Sequence, residues 1–131
     1  MHSILLVDDD EDILFFFKAM LEDEGYRVET CATGREALEK AGADSYDVMF
    51  VDYMLTDIKG DVLAGELRRL NDCSAIFYLT GCRLPKEELM KTGAVRGVLV
   101  KPVSNDFLLA MVKGALEAPV TGNGLVEVGN S

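Results

Sequence analysis

At 131 residues and 49% hydrophobic composition, the chain holds apolar material for one well-buried core and too little for a second independently folding domain. Thirteen Lys and Arg against 23 Asp and Glu give a formal net charge of -10, which repels phosphate backbones and anionic lipid and argues against direct binding of nucleic acid or membrane surfaces. The only apolar run near the start, residues 4–7, is too short for a signal peptide or membrane span, and Cys31, Cys73 and Cys82 show neither zinc-site nor disulfide spacing, so a cytoplasmic, reduced protein is expected.

Five short apolar runs suit buried parallel strands: residues 4–7, 28–32, 48–51, 75–79 and 98–100. The helix expected after the first, over about residues 12–24, places Ile13, Phe16 or Phe17, Met20 and Leu21 on one side and stops at Gly25. Phe15, Phe16 and Phe17 are consecutive, and one helix face cannot bury all three, so at least one should be exposed. A second helix begins at a capping Thr33, with Glu36 at capping-box spacing and Ala37, Leu38 and Ala41 facing inward.

A third helix follows Gly60 through Val62, Leu63, Leu67 and Leu70, and Pro85 opens a short fourth that ends at Gly93. Ser104 caps the fifth, which turns Phe107, Leu108, Met111, Val112 and Ala115 or Leu116 inward. Strict alternation of strand and helix with short links predicts an open α/β sheet, doubly wound, with helices on both faces. The segment 118–131 is rich in Gly, Pro and small polar residues and reads as a flexible tail or linker after a domain of residues 1–117. A short strand over residues 125–128 is the less favoured reading of that segment.

In such sheets the working crevice lies at the carboxyl ends of the strands. Four ends carry polar groups that make sense together: Asp8, Asp9 and Asp10 after the first strand, Asp52 after the third, Thr80 after the fourth and Lys101 with Pro102 after the fifth. Three carboxylates, Asp8, Asp9 and Asp52, repel one another unless a cation neutralises them, and an all-oxygen set suits a hard ion such as Mg²⁺. Because Mg²⁺ shares phosphate oxygens readily, Asp52 can act as a nucleophile toward a phosphoryl group, with Lys101 and Thr80 available to its charged oxygens. Asp10 and Asp12 are read as capping or surface charge.

The segments ILLVDDDED, DVMFVDYMLTDIKG, IFYLTG and VLVKPV, in that order, resemble the acidic pair, phosphoacceptor, switch-Thr and Lys-Pro segments of the receiver domains of two-component response regulators. The resemblance spans about residues 3–116 and implies a flavodoxin-like (βα)5 fold with a five-stranded parallel sheet in the order 2-1-3-4-5. It implies phosphoryl transfer to Asp52 from a sensor histidine kinase or histidine phosphotransfer protein, with slow loss as phosphate and no chemistry on a separate substrate. It also implies Asp9 as a direct metal ligand, Asp8 acting through a water, the Met54 backbone carbonyl completing the site, and a cis Lys101–Pro102 bond. A downstream effector protein or domain is the remaining implied partner, with a homodimer of this chain as a further option.

Several positions depart from the family pattern. Val98 stands where a switching aromatic is usual, Thr56 where Pro is common, Gly81 where Ala is common, and the fourth-helix region is short. Cys82 sits at the mouth of the site, and Phe15 falls at a usually polar position on the helix that docks phosphodonors. Two rival readings are a phosphatase of the haloacid dehalogenase type, for which Asp8 and Asp10 form the required Asp-x-Asp pair without a cap segment, and a pseudo-receiver that binds partners without phosphorylation.

Overall fold

The computed structural model describes residues 1–81, 93–117 and 126–128. The elements are β1 (Ser3–Val7), α1 (Glu11–Asp23), β2 (Arg27–Cys31), α2 (Gly34–Ala43), β3 (Val48–Asp52), α3 (Gly60–Leu70), β4 (Ala75–Thr80), β5 (Gly97–Val100), α4 (Asn105–Glu117) and β6 (Val126–Val128). The short helix expected between Pro85 and Gly93, and Cys82 before it, lie outside the described residues.

All strand pairs are parallel, and the sheet order is β2-β1-β3-β4-β5-β6. The five expected strands thus take the order 2-1-3-4-5, a flavodoxin-like arrangement whose reversal of winding order between β1 and β3 opens a crevice at their carboxyl ends. β6 adds a sixth strand, with Val126, Glu127 and Val128 in register with Gly97, Val98 and Leu99. This is the reading that sequence favoured less: the pattern GLVEVG is locally consistent with a tail, and only the open edge of β5 gives its backbone groups a partner.

Alternation along the strands sorts side chains onto two cores. Leu5, Val7, Met49, Val51, Ile76, Tyr78 and Val98 face α2 and α3, where Ala37, Ala41, Leu63, Ala64 and Leu67 cover them. Ile4, Leu6, Phe50, Phe77, Leu79 and Leu99 face α1 and α4, covered by Leu14, Phe17, Leu21, Leu108 and Val112. Because both faces are covered, the central strands β1, β3 and β4 read as nearly continuous apolar runs, while edge strand β2 carries Arg27, Glu29 and Thr30.

Helix ends follow local chemistry. Asp10 caps α1 by accepting from the amides of Asp12 and Ile13, Thr33 caps α2 through the amide of Glu36, and Ser104 accepts from the amide of Phe107. Of the three consecutive phenylalanines, Phe17 is buried while Phe15 and Phe16 are exposed and meet edge to face. Of the apolar residues of α3, Leu63, Ala64 and Leu67 are buried with Gly60, while Val62 and Leu70 are exposed.

Two polar residues tie elements together in ways that spacing alone does not reveal. Buried Asn71 accepts from the Tyr46 amide at 2.7 Å and donates to the Ala41 carbonyl at 2.9 Å, joining the ends of α2 and α3 to the entry of β3. The Arg68 guanidinium donates to the carbonyls of Asp72, Ser74 and Ala94, fastening the turn before β4 to the chain that leads into β5.

Candidate functional site

The four strand ends singled out by sequence meet at one crevice. Asp8 follows β1 and is fully buried, Asp52 and Thr80 end β3 and β4 and are buried, and Lys101 follows β5 at the rim. Lys101 is placed by its amide, which donates to the Thr80 carbonyl at 2.7 Å, and by the cis Lys101–Pro102 bond that follows. Its Nζ lies 2.8 Å from Asp8 Oδ2 and 3.5 Å from Asp52 Oδ2, so one ammonium bridges the two buried carboxylates.

Asp9 projects beside them, exposed, and carboxylate oxygens of Asp8, Asp9 and Asp52 lie within 4.8 Å of one another. The other oxygens are spoken for by backbone: Asp8 Oδ1 accepts from the Asp10 amide at 2.9 Å, and Asp52 Oδ1 from the Met54 amide at 3.0 Å. Met54 itself turns its side chain to solvent, so what it offers the crevice is backbone.

Electrostatics of this group follow from burial and company. Desolvation raises the Asp8 carboxyl above its ordinary value, and the nearby Asp52 charge adds to this, against the opposing hydrogen bonds from Lys101 and the Asp10 amide. Burial works against the Lys101 ammonium, but its hydrogen bond to Asp8 and the charges of Asp8 and Asp52 together outweigh it and hold its pKa above the usual range. Lys101 therefore stays protonated among three carboxylates that one ammonium cannot neutralise. That residual negative charge, carried by oxygen donors alone, fits a hard divalent cation.

Asp10, the second member of an Asp-x-Asp pair with Asp8, is committed to the cap of α1 and turns away from the crevice chemistry required of a dehalogenase-type phosphatase. Asp12 stays on the surface. Gly81 has open space where a Cβ would stand, and Thr56 is exposed, so neither departure from the family pattern crowds the site. Val98 is buried opposite Tyr78 in the β4–β5 register, and Tyr78 meets half-buried Tyr53 edge to face with ring centroids 5.0 Å apart. Tyr53, Tyr78 and Val98 belong to the same apolar cluster.

Two features of the loop after Asp52, and a cavity on the other side of the crevice, escaped sequence reading. Gly60 passes so close to Tyr53 that a Cβ would stand 2.6 Å from the Tyr53 carbonyl oxygen, so only glycine admits this return of the chain. Asp57 accepts from the amides of Gly34 and Arg35, each at 3.0 Å, across to the start of α2. A cavity of about 310 Å³ beside Lys101 is lined by Ile13, Phe17, Leu79, Pro102 and Val103. The Asp57 contacts and the cavity depend on partners far away in the chain, which no local motif announces.

Comparison with known proteins agrees with this geometry. The family model of the response regulator receiver domain matches residues 4–113. The transcriptional regulatory protein ZraR of Escherichia coli is 31% identical over 116 residues, covering 87% of this chain but only 26% of its own length, so the chain spans about a quarter of that relative. Among solved structures, a CheY-like receiver domain protein from Methanospirillum hungatei superposes with a TM-score of 0.84 at 31% identity, covering 89% of this chain and 94% of that one. A Burkholderia pseudomallei response regulator, solved with a phosphorylated aspartic acid, a calcium ion and citrate, superposes with a TM-score of 0.77 at 28% identity over 92% of this chain and 76% of that one. With its sheet order, its crevice and its sequence in agreement, the chain belongs to the response regulator receiver domains, the phospho-accepting modules of two-component signalling.

Proposed function

We propose that Asp52 is the phosphoacceptor of this receiver, and that Asp8, Asp9, Asp52 and the Met54 backbone carbonyl hold Mg²⁺ beside it. The observation that carries this reading is the bridge of Lys101 Nζ to Asp8 and Asp52 at the carboxyl ends of adjacent parallel strands. A bound Mg²⁺ would neutralise the clustered carboxylates and the oxygens of an incoming phosphoryl group. Asp9, exposed at the rim, is suited to direct coordination, and Asp8, buried and held by Lys101, to contact through a water.

In the transfer an Asp52 carboxylate oxygen forms a bond to phosphorus as the phosphorus–nitrogen bond of a phosphohistidine breaks, and the electron pair returns to the imidazole. Lys101, already protonated within reach of Asp52, takes one phosphoryl oxygen, and the Thr80 hydroxyl at the neighbouring strand end takes another. Later attack of water on phosphorus restores the Asp52 carboxylate and releases phosphate. The chain acts only on itself and modifies no separate substrate. Removing Mg²⁺ with a chelator should abolish phosphate incorporation from acetyl phosphate, read by intact mass; incorporation that persists without divalent metal would contradict this assignment.

The phosphodonor is a sensor histidine kinase or histidine phosphotransfer protein docking over α1, which exposes Phe15 and Phe16. As a contact anchor, Phe15→Ala is expected to slow phosphotransfer from the cognate donor by about tenfold, within the range of interface hot spots. Unchanged rate and affinity would remove Phe15 from that interface. The phosphorylated state addresses an effector protein or domain, with a homodimer as one form such a response can take. Residues 1–117 form the receiver and 118–131 a tail or linker, of which Val126–Val128 pairs with β5. No described helix is long and apolar enough to cross a membrane, and a cytoplasmic site of action suits a partner kinase that presents its phosphohistidine there.

A further inference from the structure

The loop of residues 53–59 carries Met54 past the crevice and must be held in place for its backbone to serve the site. Its own ends do little of this. At the start of α3, Lys59 provides no side-chain cap, so the loop is not fastened there by the usual device. Gly60 lets the chain pass close over Tyr53, which sets where the loop returns but not how its middle lies.

The middle is fastened by Asp57. Its two carboxylate oxygens accept separately, Oδ1 from the Gly34 amide and Oδ2 from the Arg35 amide, both at 3.0 Å. These are the first two amides of α2, which have no partner within the helix, while Thr33 serves the amide of Glu36. The contact is close because residue 34 is glycine: a Cβ there would stand 3.1 Å from Ile58 and 3.3 Å from Asp57 Oδ1. Loop and helix are therefore fitted to each other across 22 or 23 residues of sequence.

We infer that Asp57 is a positioning residue for the metal site: by clamping the loop to the N-terminus of α2, it holds the Met54 backbone where the cation is coordinated. The inference rests on the metal assignment proposed above. Positioning groups of this kind act on affinity through the ligands they hold, and their loss leaves the ligands themselves in place.

The test compares wild type with Asp57→Ala, Asp57→Asn and Thr33→Ala, the last removing the other cap of the same helix without touching the loop. Calorimetric titration with Mg²⁺ should give a dissociation constant weakened by about tenfold in Asp57→Ala, within the range for outer partners of metal sites, and by less in Asp57→Asn, which keeps one acceptor. Thr33→Ala should lower the melting midpoint while leaving the Mg²⁺ constant at the wild-type value. Without metal, amide exchange over residues 53–59 should quicken in Asp57→Ala and not in Thr33→Ala.

Unchanged exchange of that loop in a folded Asp57→Ala or Asp57→Asn, unchanged Mg²⁺ affinity in either, or equal weakening by Thr33→Ala, would overturn the clamp. Failure of the wild-type protein to bind Mg²⁺ would instead overturn the metal assignment, and the positioning role with it.

Discussion

At the scale of single residues, the site is a problem of charge held at close quarters. Three carboxylates and one ammonium share a crevice in which Asp8 is fully buried, and the Lys101 bridge is what makes that burial tolerable. Asp57 illustrates the opposite situation at the surface. Two amide hydrogen bonds, from Gly34 and Arg35, hold its carboxyl below the ordinary value of 3.8. A carboxyl whose pKa is lowered by folding stabilises the native state above its unfolded value, and that contribution is lost as pH falls through the folded value. Wild type should therefore melt higher than Asp57→Asn at neutral pH, with the gap closing below pH 3.8, as thermal melts across pH would record. A gap that stays constant into acid would mean that the ionised carboxylate contributes nothing.

What sequence revealed at this scale was chemistry that sits in the chain as runs. Asp8, Asp9, Asp52, Thr80 and Lys101 each end an apolar run, and the structure brings all five to one crevice. Asp57 and Asn71 stayed hidden because their partners lie 22 to 30 residues away, at amides and carbonyls that any residue could present.

At the scale of elements, alternation and capping explain most of what was legible. Thr33 and Ser104 cap the helices that spacing assigned to them, and Ala37, Leu108 and Val112 face the core. Less legible was the loop between β3 and α3. Gly60 read as a helix start, whereas its decisive property is the missing Cβ against the Tyr53 carbonyl. Gly60→Ala forces a backbone shift and is expected to cost about 1–3 kcal/mol, as overpacking does, measurable by denaturant unfolding. Full retention of stability would show that the loop can retreat freely. The edge of the sheet was likewise misjudged, since whether GLVEVG pairs is decided by the open side of β5 and not by its own composition.

At the scale of the whole molecule, one topological fact organises the rest. With parallel strands in the order 2-1-3-4-5, the order of winding reverses between β1 and β3, so Asp8 and Asp52 end adjacent strands and open onto the same crevice. That order came from family resemblance, since composition and periodicity specify a doubly wound sheet without specifying which strands neighbour. The two cores then hold the strands in place, with Tyr53, Tyr78 and Val98 in the core that faces α2 and α3. Val98 gives β5 no aromatic side chain that could swing inward beside Thr80.

Metal, ammonium and phosphoryl chemistry meet in this receiver at one proposed group, the Asp52 carboxylate. Incubating wild type and Asp52→Asn with acetyl phosphate and Mg²⁺ and weighing each by intact-mass spectrometry tests that claim directly. The account predicts one added phosphoryl group on wild type and none on Asp52→Asn; equal incorporation in the two proteins would contradict it.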